Sequence, residues 1–175
     1  MTAARQLNHY LPYGLDGFFL IFTADSVRKS NQIRLPFGEG KTSPVAAEDV
    51  ARVVATLLEN PQSHIGRIYH LTGPQSENMD FYAQEYSKAL GRTITYKDIP
   101  VEPWRDGLLK RGLPVHLVNH LVAMADLHRA GRFDRMSDDA RTLTGQGPLS
   151  VQEFVRKNAA TFTASAKSAG VSATK

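Results

Sequence analysis

The sequence contains no cysteine. That removes disulfides, zinc–thiolate centres and cysteine nucleophiles, and it agrees with a reducing compartment, so a cytoplasmic location is expected. Long apolar runs are missing too. The most apolar stretch, GLDGFFLIF, falls short of the roughly 18 residues that a membrane-spanning helix needs, and its place inside the chain does not suit a secretory leader. An excess of one charge is also lacking: 21 basic residues face 17 acidic ones, for a net charge of +4. The basic residues form no stripe with interleaved aromatics, so neither nucleic acid nor a membrane is an expected partner. Internal repeats are absent, and tryptophan occurs once, at Trp104.

What is present is an ordinary globular balance: 175 residues, 42% hydrophobic and 22% charged. That length suits one domain, or one part of a larger one. The first motif to weigh is PFGEGKTS, residues 36–43, because Gly40-Lys41-Thr42 is how a phosphate-binding P-loop ends. A P-loop needs a second glycine five residues earlier, so that inward-pointing N–H groups curl around the phosphates. Leu35 stands there, and Pro36 has no N–H to donate. A phosphate loop also runs directly into a helix, whereas Pro44 and Val45 intervene here. As a dinucleotide fingerprint the stretch fails as well, with Ser43 where the third glycine belongs. The spacing therefore predicts a glycine-rich turn with Lys41 in solvent.

Along the chain, GLDGFFLIFTADSVRKSN reads as an apolar stretch merging into a polar helix end near Arg28 and Lys29. QIRLP is a short strand. Val50, Val53, Val54, Leu57 and Leu58 fall on one helical stripe, with Glu48 and Asp49 in its first turn and Asn60-Pro61 as its stop. RIYHLTG alternates as a strand, and a helix over about 78–90 ends at Gly91. TITYKDI alternates as another strand. Pro103 and Pro114 each suit a first helical position, and Gly112 and Gly131 close the helices they open. SDDARTLTG predicts a short helix started by Asp138 and Asp139. Ser150-x-x-Glu153 is a capping box for a last helix with Val151, Phe154, Val155 and Phe162 on its apolar face. Three segments result: a partial α/β portion over 1–77, a mostly helical lobe over 78–162, and a tail over 163–175, expected to be disordered because it has almost nothing to bury.

Other constellations point to structure. His116 and His120 have a metal-gripping spacing, but no glutamate of an H-E-x-x-H pattern accompanies them, and Leu117, Leu121 and Met124 share their helix; no metal is expected. There is no G-x-S-x-G elbow. Tyr82 and Tyr86 could line a pocket, yet their helical spacing points to core packing.

Three stretches in register, GEGKTSPVAAEDVARVVATLLENPQSHIGRIYHLTGP, ALGRTITYKDIPVEPWRDGLLKRGLP and DDARTLTGQGPLSVQEFVRKN, resemble the C-terminal half of NmrA-like proteins. These are atypical short-chain dehydrogenase/reductase relatives that bind NAD(P) on a Rossmann fold. The resemblance runs from about Phe18 to Asn158. It implies an α/β fold, the C-terminal part of a Rossmann-like domain with a helical substrate-side lobe and without the nucleotide-binding half. The departures are informative. The family's opening strand and glycine-rich turn have no counterpart, so the chain is expected to be truncated, mis-started or dissected, and to be inactive and without NAD(P) by itself. Ala46-Ala47 stand where a polar cap often precedes the family's helix. The Tyr-x-x-x-Lys pair is absent, Tyr82-x-x-x-Tyr86 being the nearest approach, so no catalytic or cofactor-binding residue is assigned.

For the complete protein the resemblance implies hydride transfer between NADP or NAD and a small organic acceptor, a quinone or a carbonyl compound. Phe18, Phe19, Lys41, Val45 and Trp104 would then be the substrate-binding residues. Trp104 keeps two readings, a flat wall for an aromatic acceptor or an anchor packed with Leu108. The alternative from the same resemblance is a non-catalytic NAD(P) sensor that docks on a partner protein. Unpaired strand edges make self-association of the chain a further expectation.

Overall fold

The computed structural model describes residues 15–163, so nearly all of the expected tail lies outside the described residues. The described part opens on a π-helical turn, Leu15–Ile21, which leads into helix α1, Ala24–Ser30. Asn31 ends α1 in the left-handed conformation, with φ at 55°, a geometry that Asn tolerates better than most side chains. The chain then enters strand β1, Gln32–Leu35. Helix α2 spans Ala47–Glu59 and is followed by a 3-10 turn, Pro61–His64. Helix α3, Met79–Leu90, leads through Gly91 to strand β2, Thr95–Asp98. Helices α4, Val101–Lys110, α5, Val115–Arg129, α6, Asp139–Thr144, α7, Val151–Lys157, and α8, Ala159–Thr163, complete a mostly helical α/β fold.

Among the described residues the sheet has two strands. They run parallel, with Gln32 opposite Thr95 and Leu35 opposite Asp98, and they join segments from either side of residue 78. Helix α3 lies against the sheet and against α7. Its buried face, Met79, Tyr82, Ala83 and Tyr86, is central to the main core together with Phe19, Ile33, Leu35, Phe154 and Phe162. A second, smaller cluster forms where α2 packs on α6 through Val45, Val50, Val53, Leu71 and Ala140.

Caps behave as their residues dictate. The Asn78 side chain accepts from the Phe81 N–H at 3.1 Å, and Gly91 closes α3 with φ at 65°. Ser150 and Glu153 form the reciprocal capping box of α7. Helix α2 differs: Ala46 offers no side-chain cap, and the Ala47 N–H is taken at 2.7 Å by Asp16 of the π-helical turn. An orphan donor at a helix start thus finds its acceptor 31 residues back in the chain.

Several sequence expectations need correction. RIYHLTG is extended but is not a strand. No strand lies beside it among the described residues, Ile68 is 63% exposed, and its ties are irregular: the His70 N–H donates to Asp139 and the Gly73 N–H to the Ser43 carbonyl. Leu58 is 71% exposed, because the α2 stripe that packs on α6 ends at Leu57. Pro103 is not the first residue of α4, which starts at Val101 behind Pro100; a proline within the first turn is harmless because those N–H groups have no helical partner. Pro114 sits one position before α5, as its cap. The last helix is interrupted at Asn158, so Phe162 belongs to α8.

The glycine-rich turn is strung between β2 and the C-terminal end of α5. The Gly38 N–H donates to Asp98 Oδ1 at 3.0 Å, and the Gly40 N–H donates to the Phe37 carbonyl. Asp98 also receives both bonds of an Arg129 fork, at 2.8 and 3.0 Å. Partial burial pushes the Asp98 carboxyl up, but the bonds from Arg129, Gly38 and Tyr96 outweigh it and leave it below its ordinary range. Phe37 stacks on His128 with centroids 3.9 Å apart and planes 7° from parallel. Gly40 is fixed by contact: a Cβ there would lie 1.9 Å from the His128 carbonyl oxygen. Lys41 points outward and pairs with Glu77 at 3.4 Å.

Two expectations follow. Gly40→Ala forces the loop off the end of α5 and should cost about 3 kcal/mol or more in urea unfolding, whereas Lys41→Ala should stay within about 0.5 kcal/mol. Equal small costs would show that the loop does not press on α5. The second concerns His128, whose burial pushes its pKa down to about 3 from 6.5. The unfolded chain therefore takes up the proton first. Stability from the neutral ring is complete above about pH 6.5 and is lost as pH falls towards 3. Unfolding measured across that range should show an acid limb that is shallower in His128→Phe; parallel curves would contradict a buried neutral imidazole.

Candidate functional site

Helix α3 brings the candidate residues into relation. Its two tyrosines lie one turn apart on the buried face and reach two different segments. Tyr82 donates to the Thr42 carbonyl at 2.7 Å and lies 3.0 Å from the Gln75 carbonyl. Tyr86 donates to the carbonyl of Phe19, and its hydroxyl is 3.2 Å from that of Thr23. Thr23 adds its own bond to the Phe19 carbonyl at 2.6 Å. A π-helical turn has wider spacing between its carbonyls and their helical donors, and such turns concentrate at functional sites. Here two hydroxyls satisfy the Phe19 carbonyl. Burial holds both phenols far above their ordinary range, so each remains a neutral donor.

The segment carrying Lys41 and Val45 is pinned from three sides. Thr42 bridges Glu77 on one side and Phe133 on the other, with N–H···O bonds of 3.0 and 3.1 Å exchanged with Glu77. Ser43 donates to the Arg135 carbonyl at 2.7 Å. The Val45 carbonyl accepts from the Leu15 N–H at 3.1 Å, which joins this segment to the π-helical turn. A Cβ at Gly73 would lie 2.1 Å from the Pro44 oxygen, so that residue too must be glycine for the segments to meet.

Of the substrate-binding candidates, Phe18 and Phe19 lie on the π-helical turn. Phe19 is buried, its ring edge-on to Tyr82 at 5.3 Å. Lys41 is exposed and Val45 is buried in the α2–α6 cluster. Tyr82, Tyr86 and the Leu15–Val45 bond tie the backbone of the π-helical turn to the segment that carries Lys41 and Val45. Trp104 lies on α4. It is buried in the main core beside Leu108, with Phe22 at 6.4 Å in an edge contact. The role of the two tyrosine hydroxyls and of Thr42 was not anticipated. The signal for it lay in the hydroxyls, since buried phenols almost always find acceptors, although no local pattern names those acceptors.

His116 and His120 are exposed on α5. Among the described residues no group of three or more His, Asp or Glu is placed to hold a metal ion, and no helix is long and apolar enough to cross a membrane. The glycine-rich turn does not suit a dinucleotide pyrophosphate. Its glycine N–H groups are committed to Asp98 and Phe37, a carboxylate stands beside it, and Gly40 is pressed on the end of α5.

No family model matches the chain. It is 31% identical over 152 residues to an NAD(P)H azoreductase of Xenophilus azovorans, covering 83% of this chain and 52% of that protein. It is 27% identical over 107 residues to quinone oxidoreductase 2 of Escherichia coli, covering 61% of this chain and 36% of that one. Among solved structures, the Citrobacter sp. triphenylmethane reductase complexed with NADP(H) superposes with a TM-score of 0.69 at 24% identity, over 80% of this chain and 48% of that one. An NADPH-dependent quinone oxidoreductase of Escherichia coli, complexed with NADPH, gives 0.70 at 19% identity, over 83% and 50%. The chain spans about half the length of the relatives it matches most extensively. At these identities the superpositions establish a shared fold: the chain has the architecture of about half of each of these Rossmann-like structures.

Proposed function

We propose that the chain is the acceptor-side portion of an NAD(P)H-dependent oxidoreductase that reduces a small organic molecule of the quinone, azo or carbonyl type. The observation that carries this reading is the likeness along 83% of the chain to an NAD(P)H azoreductase. The fold shared with two reductases solved with NADP(H) or NADPH supports it. In such a protein NAD(P)H supplies a hydride. The described glycine-rich turn does not fit its pyrophosphate.

The part left to this chain is to bind and orient an acceptor. Phe18 and Phe19 on the π-helical turn and Lys41 and Val45 on the adjoining segment are the candidates for that task, with the buried Phe19 and Val45 acting from beneath the surface. A flat aromatic acceptor would gain apolar contact from the turn, and an anionic or carbonyl oxygen would gain a cation from Lys41, whose Glu77 partner is itself exposed. Trp104 anchors the lobe from behind, through Phe22.

Two measurements test this. Calorimetric titration of the chain with menadione should give a saturating binding curve, and heats no larger than those of dilution would overturn the acceptor-side reading. Calorimetry with NADPH should show no binding in the low micromolar range; a dissociation constant there would place a cofactor site on this chain and refute the division of labour proposed.

A further inference from the structure

We infer that Tyr82 and Tyr86 are positioning residues that hold the π-helical turn and the Lys41–Val45 segment at a fixed spacing for the acceptor. The inference rests on the acceptor-side reading above. Its geometry is independent of any ligand. Both hydroxyls come from one rigid helix, α3, and both tyrosines are almost wholly buried. Tyr82 reaches the Thr42 carbonyl, in the residue directly after Lys41. Tyr86 reaches the Phe19 carbonyl, within the turn that presents Phe18 and Phe19. The Tyr82 ring also meets the Phe19 ring edge-on at 5.3 Å, so one side chain touches both segments.

These bonds add little to whether the chain folds and much to where the segments sit. The Thr42 carbonyl keeps the Glu77 N–H at 3.1 Å, and the Phe19 carbonyl keeps the Thr23 hydroxyl at 2.6 Å, when a phenol oxygen is removed. Tyr→Phe leaves each ring in the core. What is lost is the tie between α3 and each segment.

The test uses Tyr82→Phe, Tyr86→Phe and a control, Ser87→Ala. Ser87 lies on the same helix and ties the Ile94 N–H at 2.8 Å and the Ala83 carbonyl at 2.8 Å, touching neither segment. Hydrogen exchange and menadione binding are read on all three. Tyr86→Phe should speed exchange of the Phe18 to Ile21 amides by about tenfold, with protection inside α3 retained, and either tyrosine variant should weaken menadione about three- to tenfold. Ser87→Ala should do neither, however much it lowers the melting temperature. Exchange in the turn that stays at the wild-type rate in Tyr86→Phe, or a Ser87→Ala variant that loosens the turn or weakens menadione equally, overturns the spacing role. Wild-type chain that fails to bind menadione, while Tyr86→Phe still frees the turn, overturns the acceptor reading and upholds the spacing role.

Discussion

A phenol hydroxyl taken out of water must be hydrogen-bonded, and helix α3 buries two of them. Their acceptors lie outside the helix, because a tyrosine ring carries its hydroxyl well beyond the carbonyls of its own helix. That requirement makes α3 the member against which both irregular segments are placed. Removing a whole tyrosine would open a cavity in the main core, one of the costliest kinds of core defect. The sheet, with two short strands among the described residues, could not organise these segments alone. A two-stranded pair is marginal without a helix packed on it.

The same rule, that buried polar groups need partners, accounts for the long-range ties elsewhere. Asp16 caps α2 from the π-helical turn, where Ala46 could not. Asp49 is 1% exposed and is balanced by Arg52 and by the Leu149 N–H at 2.9 Å. That carboxylate fixes the approach to α7 while sitting in the first turn of α2, where the helix dipole also favours it. Lys157 of α7 returns to Glu48 in the same turn, on the surface. The start of α2 is therefore held by side chains from both ends of the described chain.

This division explains what could be read from the residues. Local rules were legible: the capping box at Ser150, the glycine stops at Gly91, Gly112 and Gly131, and the buried i, i+3 face of Val50 and Val53 each depend on neighbours a few positions away. Nonlocal satisfaction was not. Nothing near Ala46 announces Asp16, and nothing near Tyr86 announces the Phe19 carbonyl. RIYHLTG misled for the complementary reason. Alternation records which face a residue prefers, but a strand also needs a neighbour, and the described residues offer none. The π-helical turn had no signature either, since its apolar run is compatible with strand or helix until Tyr86 and Thr23 supply donors.

The glycine-rich turn shows how a phosphate-loop ending arises without phosphate. Gly38 takes a left-handed φ of 55° to turn the chain after Phe37, and Gly40 permits backbone contact with α5. Lys41 then emerges into solvent because Thr42 must face inward, between Glu77 and Phe133. A phosphate loop needs N–H groups left open towards an anion, whereas here they close on Asp98 and Phe37. The loop's role is mechanical: it leads the chain from β1 to Thr42 and on to Val45, whose carbonyl meets the π-helical turn at Leu15. The shape of this junction is thus maintained by helix α3 and by the close fit of Gly40 on α5, with no bound ligand needed to hold it.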